Sequence, residues 1–199
     1  MAGKKTITLY PDAGPLITLA YADALDLLFE PGWQLVLVDM IYAEVTRSQT
    51  PTSEKIRRWA QAGFAKASAR QKPHIEEPSD GSRPNAQAIE RFSTRVHAQY
   101  AQNLALADAA PRAKNNLGEF AIQEAMNECA LQDATQTSVF LFEDHKIARA
   151  SFLLPSNARK VSARAFLQFL EALGRIESAA AIERRAVSAG RAFSQIHFS

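Results

Sequence analysis

Cysteine is almost absent from this sequence, which has a single one, Cys129, among 199 residues. One cysteine excludes an intramolecular disulfide and a zinc site built on several thiolates, and it favours a reducing compartment. Cys129 falls inside a helical pattern, so we expect it to be a buried core residue. The sequence therefore predicts a fold stabilised by its hydrophobic core.

Long hydrophobic runs are absent as well. No stretch of about 18 uninterrupted apolar residues occurs, so we expect no membrane-spanning helix. The two lysines near the start lead into an apolar run that ends at Pro11 and Asp12, which is too short for a signal peptide. We therefore expect a soluble, cytoplasmic protein.

Neither sign of charge is in excess, since 23 basic and 21 acidic residues leave a net charge of +2. This balance permits a polyanionic partner without the charge of a dedicated nucleic-acid coat protein. The phosphate-binding loop of P-loop enzymes, the dinucleotide-binding turn and the hydrolase nucleophile elbow are all missing, which argues against these three enzyme classes. The histidines show no metal-ligand spacing and are interpreted as structural or surface residues: His74, His97, His145 and His197.

Strand-like apolar runs alternate with helical patterns along the chain. This alternation favours an α/β fold with a parallel sheet and helices on both faces. Strands are predicted from Ile7, from Trp33 to Val38, from Ser138 to Phe142 and at Lys160–Ser162. Helices are predicted over 15–28, from an N-cap at Asp39 to a break at Pro51, through 56–64, 89–104, 119–126 and 166–173, and from Lys146.

We expect a main domain over residues 1–175, with a helical and loop insertion at about 65–115. Within it, residues 71–85 are rich in Pro, Ser, Asp and Gly and lack periodicity, which predicts a surface loop. The remaining residues, 176–199, form a predicted helical tail. Three roles are open for this tail: packing on the body, exchange with a partner, or covering the site.

Acidic residues follow the predicted strands. Asp12 ends the first one, and Glu143 and Asp144 follow the wholly apolar run that ends at Phe142. Because the carboxyl ends of parallel strands meet at one edge, distant acids converge there. With Glu44 and Glu119 from the helices, they offer the oxygen ligands that Mg²⁺ or Mn²⁺ prefers.

Each acid also has a purely structural interpretation. Asp12 could terminate a strand, Glu44 could be an exposed helix residue, and Asp144 could cap a helix. Glu119 follows Asn116 by three positions and could complete a capping box. The occurrence of all four in one α/β order favours the metal site.

The motifs that carry these acids, taken together, resemble the PIN domain family. The order and placement match from residue 6 to about 175, and the segment from Phe166 to Ile176 is similar to the family's closing helix. The motifs are Asp12-Ala13-Gly14-Pro15-Leu16-Ile17, Ala43-Glu44-Val45, Leu117-Gly118-Glu119 with Ala121 and Ile122, and Phe142-Glu143-Asp144 with Ile147-Ala148-Arg149.

This resemblance implies a three-layer α/β/α sandwich with a parallel central sheet that binds Mg²⁺ or Mn²⁺ and cleaves RNA. Many members are VapC-like toxins of toxin-antitoxin modules. The family's first three acids fall on Asp12, Glu44 and Glu119. Its last acid falls on Glu143 or Asp144, of which we favour Asp144, and Ser162 matches a small hydroxyl position.

The resemblance predicts a metal-dependent endoribonuclease, the toxin of a toxin-antitoxin pair, with RNA, a cognate antitoxin and a second copy of the chain as partners. The alternative is a catalytically degenerate PIN-like module that binds RNA or a protein. A phosphatase of another Rossmann-like class is disfavoured because Asp12 has no acid two residues further on. The candidate phosphate contacts are Arg47, Lys114, Lys146 and Arg149.

Overall fold

The computed structural model describes residues 6–70, 87–106, 116–143 and 154–192. These ranges contain five β-strands, seven α-helices and a 3₁₀ helix at Leu25–Phe29. The strands are β1 (Ile7–Pro11), β2 (Gln34–Val38), β3 (Ile89–Phe92), β4 (Thr137–Phe142) and β5 (Ala158–Ser162). The helices are α1 (Ala13–Tyr21), α2 (Asp39–Thr46), α3 (Pro51–Arg70), α4 (Arg95–Leu106), α5 (Leu117–Gln132), α6 (Ala163–Ala172) and α7 (Ala179–Ser188).

All five strands are parallel and lie in the order β3-β2-β1-β4-β5, which confirms the predicted α/β class. The central strand β1 pairs Leu9 with Leu35 of β2 on one side and with Val139 of β4 on the other. Strands β1, β2 and β4 are largely apolar and buried because helices cover both faces of a parallel sheet. The core therefore lies on both sides of β1.

Helices flank the sheet in a three-layer α/β/α sandwich. Helix α1 packs against α3 and α7, whereas α5 packs against α4 and α2. The chain runs from β1 outward to β2 and β3, and then crosses back to β4 and β5 on the other side of β1. The carboxyl ends of β1 and β4 thus flank the point where the strand order reverses, which is where open α/β sheets bind ligands.

The predicted helix through Ile89 is wrong at its beginning. Residues Ile89–Phe92 form β3, which pairs with β2, and Ile89 is completely buried. Helix α4 begins only after Thr94, whose Oγ accepts the amide of His97 at 3.2 Å. A four-residue strand this close to a helix shows no clear alternation, and Ile89 and Phe92 also fit helical spacing. Part of the segment expected to be an insertion therefore belongs to the sheet.

The first predicted helix is also too long. Helix α1 ends at Tyr21 because Asp23 adopts a left-handed conformation, with φ of 51°. The amide of Ala24 then bonds the carbonyl of Leu19 at 2.8 Å, which closes the helix end. The later leucines of the pattern, including the buried Leu28, belong to the 3₁₀ helix.

Two further residues differ from their predicted places. Val38 occupies the N-cap position of α2, and Asp39 is the first helical residue. Cys129 is half-buried rather than buried, and its Sγ donates to Oε1 of Gln136 at 3.0 Å. Cys129 lies in the last turn of α5. The helical pattern was therefore predicted correctly, but the burial of the Cys129 side chain was overestimated.

Gly174 follows α6 with φ of 66°, in the position that favours glycine. The tail contributes α7, which packs on α1 and α6, so packing on the body is the role that the structure shows. The predicted loop at 71–85 and the helix from Lys146 lie outside the described residues. In the ranges described, no helix combines the length and apolar character needed to cross a bilayer.

Candidate acidic site

Asp12 occupies the first position beyond β1, at the carboxyl edge of the sheet. Its backbone amide donates to the carbonyl of Leu141 in β4 at 2.9 Å, so it is tied to the neighbouring strand. It has extended dihedral angles and directly precedes α1, and its side chain is half-buried. The strand end and the helix start together fix Asp12 at the crevice between β1 and β4.

Glu44 reaches the same region from α2, the helix that follows β2. A methyl group at Gly118, in the first turn of α5, would lie 3.3 Å from Oε2 of Glu44 and 4.0 Å from Oδ1 of Asp12. Two carboxylates from different strand–helix units therefore converge on a single point of α5. This placement agrees with the arrangement that a metal site needs, and metal binding by Asp12 and Glu44 stays a prediction.

Gly118 is itself part of this arrangement, because α2 and α5 meet there. Its Cβ position would be only 2.7 Å from Cδ1 of Ile41, closer than a real side chain tolerates. Gly118 is buried, and its missing side chain leaves room for the Glu44 carboxylate. A larger residue would displace the end of the Ile41 side chain and the Glu44 carboxylate.

Glu119 follows Gly118 directly and is half-buried in the first turn of α5. Asn116 occupies the N-cap position in a left-handed conformation, and its side chain makes no capping hydrogen bond. A capping box needs that bond. Asn116 therefore does not form its bond of the capping box that was the structural interpretation of Glu119.

The electrostatic environment of Glu44 favours a cation. Glu44 is an exposed residue overall, but partial burial of its carboxylate raises its pKa, and the nearby charge of Arg47 only partly offsets this effect. A carboxylate that is costly to ionise is stabilised by a bound cation. Arg47 itself is exposed at the end of α2.

Glu143, the alternative to Asp144, follows β4 and has protein partners for both carboxylate oxygens. Oε1 accepts the hydroxyl of Thr18 at 2.7 Å, and Oε2 accepts Nη2 of Arg191 at 2.8 Å. Glu143 therefore serves as an acceptor within the protein in this structure. The choice of Asp144 as last acid stays a prediction, because Asp144 lies outside the described residues.

The other predicted site residues have mixed outcomes. Ser162 ends β5 at the same edge of the sheet, and its Oγ accepts the amide of Ala165 at 3.1 Å, which caps α6. The predicted phosphate contacts Lys114, Lys146 and Arg149 lie in parts of the chain that the structure does not describe.

The residues present fit a hard divalent cation in kind. Asp12 and Glu44 offer carboxylate oxygens at a recess that a Cβ atom would fill, with Glu119 adjacent, and hard cations prefer such oxygens. Among the described residues, no group of three acidic, histidine or cysteine side chains is close enough to hold a metal ion. The described residues thus bring two carboxylates together at this recess, those of Asp12 and Glu44.

Three residues at this edge had no predicted role: Thr18, Gly118 and Arg191. Gly118 lay within a motif quoted for its acid, but its closeness to α2 depends on helix packing. Thr18 and Arg191 are 173 positions apart, and no spacing in the sequence links them.

Comparison of the chain with protein-family models found no match, and comparison with curated proteins found none either.

Proposed function

We propose that this chain is a Mg²⁺- or Mn²⁺-dependent endoribonuclease of PIN type. The observation that carries the proposal is the convergence of Asp12 and Glu44 on Gly118, at the crevice between β1 and β4. Carboxylates that approach one another inside a protein repel unless a cation lies between them. This position at the reversal of strand order supports a ligand site.

In this proposal Asp12 and Glu44 bind the cation, together with Asp144. A bound divalent ion would supply an activated water and stabilise the leaving oxygen of the phosphodiester. Glu119 orients the attacking water by accepting a hydrogen bond from it. Asp12 is held by the Leu141 carbonyl, and α5 holds Glu119, so both act from rigid elements.

RNA would be held by basic side chains around the site. Arg47 is exposed one turn beyond Glu44, and its charge already acts on that carboxylate. Contacts of this kind bind the phosphate backbone without regard to sequence and weaken with salt. A toxin role belongs to the same proposal, with the cognate antitoxin as the partner that blocks cleavage.

The test is cleavage of a labelled single-stranded RNA by purified wild type and by Asp12→Asn, with Mg²⁺, Mn²⁺ or EDTA. Asp12→Asn keeps the shape of the side chain and removes its charge, so we expect cleavage to fall by at least about 100-fold. Asp133→Asn is the matched control, because Asp133 is an exposed aspartate in the turn after α5.

Cleavage by wild type and Asp133→Asn alone, abolished by EDTA, supports the nuclease. Wild type that binds RNA without cutting it in any metal contradicts the proposal and favours the degenerate binding module. Circular dichroism confirms beforehand that each variant is folded.

A further inference from the structure

A closed set of hydrogen bonds joins three residues that are far apart in sequence: Arg191, Glu143 and Thr18. We call it the Arg191 bridge. Nη2 of Arg191 donates to Glu143 at 2.8 Å, Nε of Arg191 donates to Oγ of Thr18 at 2.9 Å, and Thr18 donates to Glu143 at 2.7 Å. Each residue thus bonds the other two, which fixes all three side chains.

The Arg191 bridge is shielded from solvent. The side chains of Arg191 and Glu143 are only 13% and 8% exposed, and Thr18 is buried. Removing one partner of a buried ion pair leaves an uncompensated charge, which is far more costly than losing an exposed pair. Loss of Arg191 would therefore leave the Glu143 carboxylate without its buried cationic partner.

The bridge ties together the two segments that flank the acidic site. Glu143 follows β4 and packs closely against the first turn of α1. A methyl group at Gly14 would be 2.9 Å from Cβ of Glu143. Gly14 is two residues beyond Asp12, and Asp12 bonds the carbonyl of Leu141, two residues before Glu143. The same strand end and helix start therefore carry both Asp12 and the bridge.

The direction of Arg191 is set by the end of α7. The amide of Arg191 bonds the carbonyl of Ala186 at 3.0 Å, and the amide of Gly190 bonds that of Val187 at 2.9 Å. This is a Schellman motif, with Gly190 at φ of 104° in the position that favours glycine. It turns the chain back toward α1 directly after α7.

We propose that Arg191 is a positioning residue of the acidic site: through Glu143 and Thr18 it fixes the end of β4 against the start of α1. The C-terminal segment is then a functional part of the nuclease domain. Arg191 and Thr18 also donate hydrogen bonds to both carboxylate oxygens of Glu143, which leaves metal binding to Asp12 and its partners. This inference rests on the proposed metal-dependent function.

The test compares wild type with Arg191→Met, Arg191→Lys and Arg175→Met in the full-length protein. Arg175 is the matched control, because it is an exposed arginine in the same position of the Schellman motif that ends α6. Two quantities are measured: hydrogen exchange of the amides in β4 and at Asp12, and Mn²⁺ affinity by calorimetric titration.

We expect Arg191→Met to accelerate exchange at these amides and to weaken Mn²⁺ binding by roughly 10-fold to 100-fold, the usual effect of losing a residue that orients ligands. Arg191→Lys should recover part of both, because it restores the charge but not the bond to Thr18. Arg175→Met should match wild type in both measurements.

Unchanged exchange in Arg191→Met would show that the bridge does not fix this edge and would overturn the inference. Faster exchange with wild-type Mn²⁺ affinity would also overturn it, since Arg191 would then act on stability alone. Wild type that neither binds Mn²⁺ nor cleaves RNA is a different result. It overturns the proposed function itself, and the positioning role with it, without any comparison between variants.

Discussion

Gly118 shows how one missing side chain shapes the acidic site. It allows α5 to approach Ile41 and leaves space for the Glu44 carboxylate, 3.3 Å from where a Cβ atom would be. Gly63 has a comparable packing role away from the site, since a methyl group there would overlap the side chain of Ile89. The two glycines separate the effect of crowding from the effect on the acids.

Gly118→Ala is expected to weaken Mn²⁺ binding and RNA cleavage, because the new methyl group displaces Glu44. Crowding of this kind costs about 1–3 kcal/mol of stability. Gly63→Ala should lose at least as much stability, because its methyl group would overlap Cβ, Cγ1 and Cδ1 of Ile89, while a correctly folded fraction keeps its Mn²⁺ affinity. Urea denaturation and calorimetric titration of both variants check this. Equal loss of affinity in the two would contradict a specific role for Gly118.

The acids of the site were predictable at this scale to different degrees. The position of Asp12 was predictable because it follows an apolar strand, and strand ends meet at one edge of a parallel sheet. Glu44 was predicted through the resemblance, because its helical pattern alone indicates an exposed residue, and exposed is what it is in the structure. Gly118, Thr18 and Arg191 act through contacts between distant segments, which no local pattern records.

At the scale of elements, short or irregular segments were harder to predict than long ones. Strands β1, β2 and β4 are apolar and buried, and their patterns identified them. Strand β3 has only four residues, and besides its parallel pairing with β2 a buried side chain in α2 secures the chain directly after it. Buried Asp39 accepts the amide of Thr94 at 2.9 Å and its hydroxyl at 2.8 Å.

Helix α7 carries a buried carboxylate, Glu183, on the side that faces the Arg191 bridge. Burial raises the pKa of Glu183, the charge of Arg164 lowers it, and the charge of Glu143 raises it further. The net shift is upward, so the folded state holds this proton more tightly than the unfolded state. Its contribution to stability is therefore full below the ordinary value of 4.5 and is lost as pH rises through the raised pKa.

Glu183→Gln should accordingly be more stable than wild type at neutral pH, because the neutral amide does not need to ionise when buried. The difference should disappear below pH 4.5, where Glu183 is protonated in both states. Glu177→Gln is the control, because Glu177 is exposed just before α7. Urea denaturation across this pH range gives the comparison, and a pH-independent difference would rule out the titration of Glu183 as its cause.

At the scale of the whole molecule, the strand order explains why the acids meet. Asp12 follows β1, and Glu44 lies on α2, which starts directly after β2. Because β1 and β2 are adjacent parallel strands, both acids lie at one edge of the sheet, next to the crevice between β1 and β4. Alternation of strands and helices predicted the parallel sheet. It could not predict the order of strands, because that depends on which edges pair in three dimensions.

The C-terminal segment completes this edge of the molecule. Helix α7 packs on α1 and brings Arg191 to the end of β4, although nothing in its sequence distinguishes docking from exchange or from covering the site. The choice is made by side-chain contacts with Glu143 and Thr18. A domain boundary drawn at residue 175 from periodicity alone would leave these contacts out.

The most direct measurement is the Mn²⁺ affinity of wild type, Asp12→Asn, Glu44→Gln and the double variant, all measured by calorimetric titration. If both carboxylates hold the same ion, each single substitution weakens binding and the double substitution costs less than the two combined, because coupled residues are not additive. Independent, additive losses, or a wild type that binds no Mn²⁺, would contradict a shared metal site at the crevice of β1 and β4.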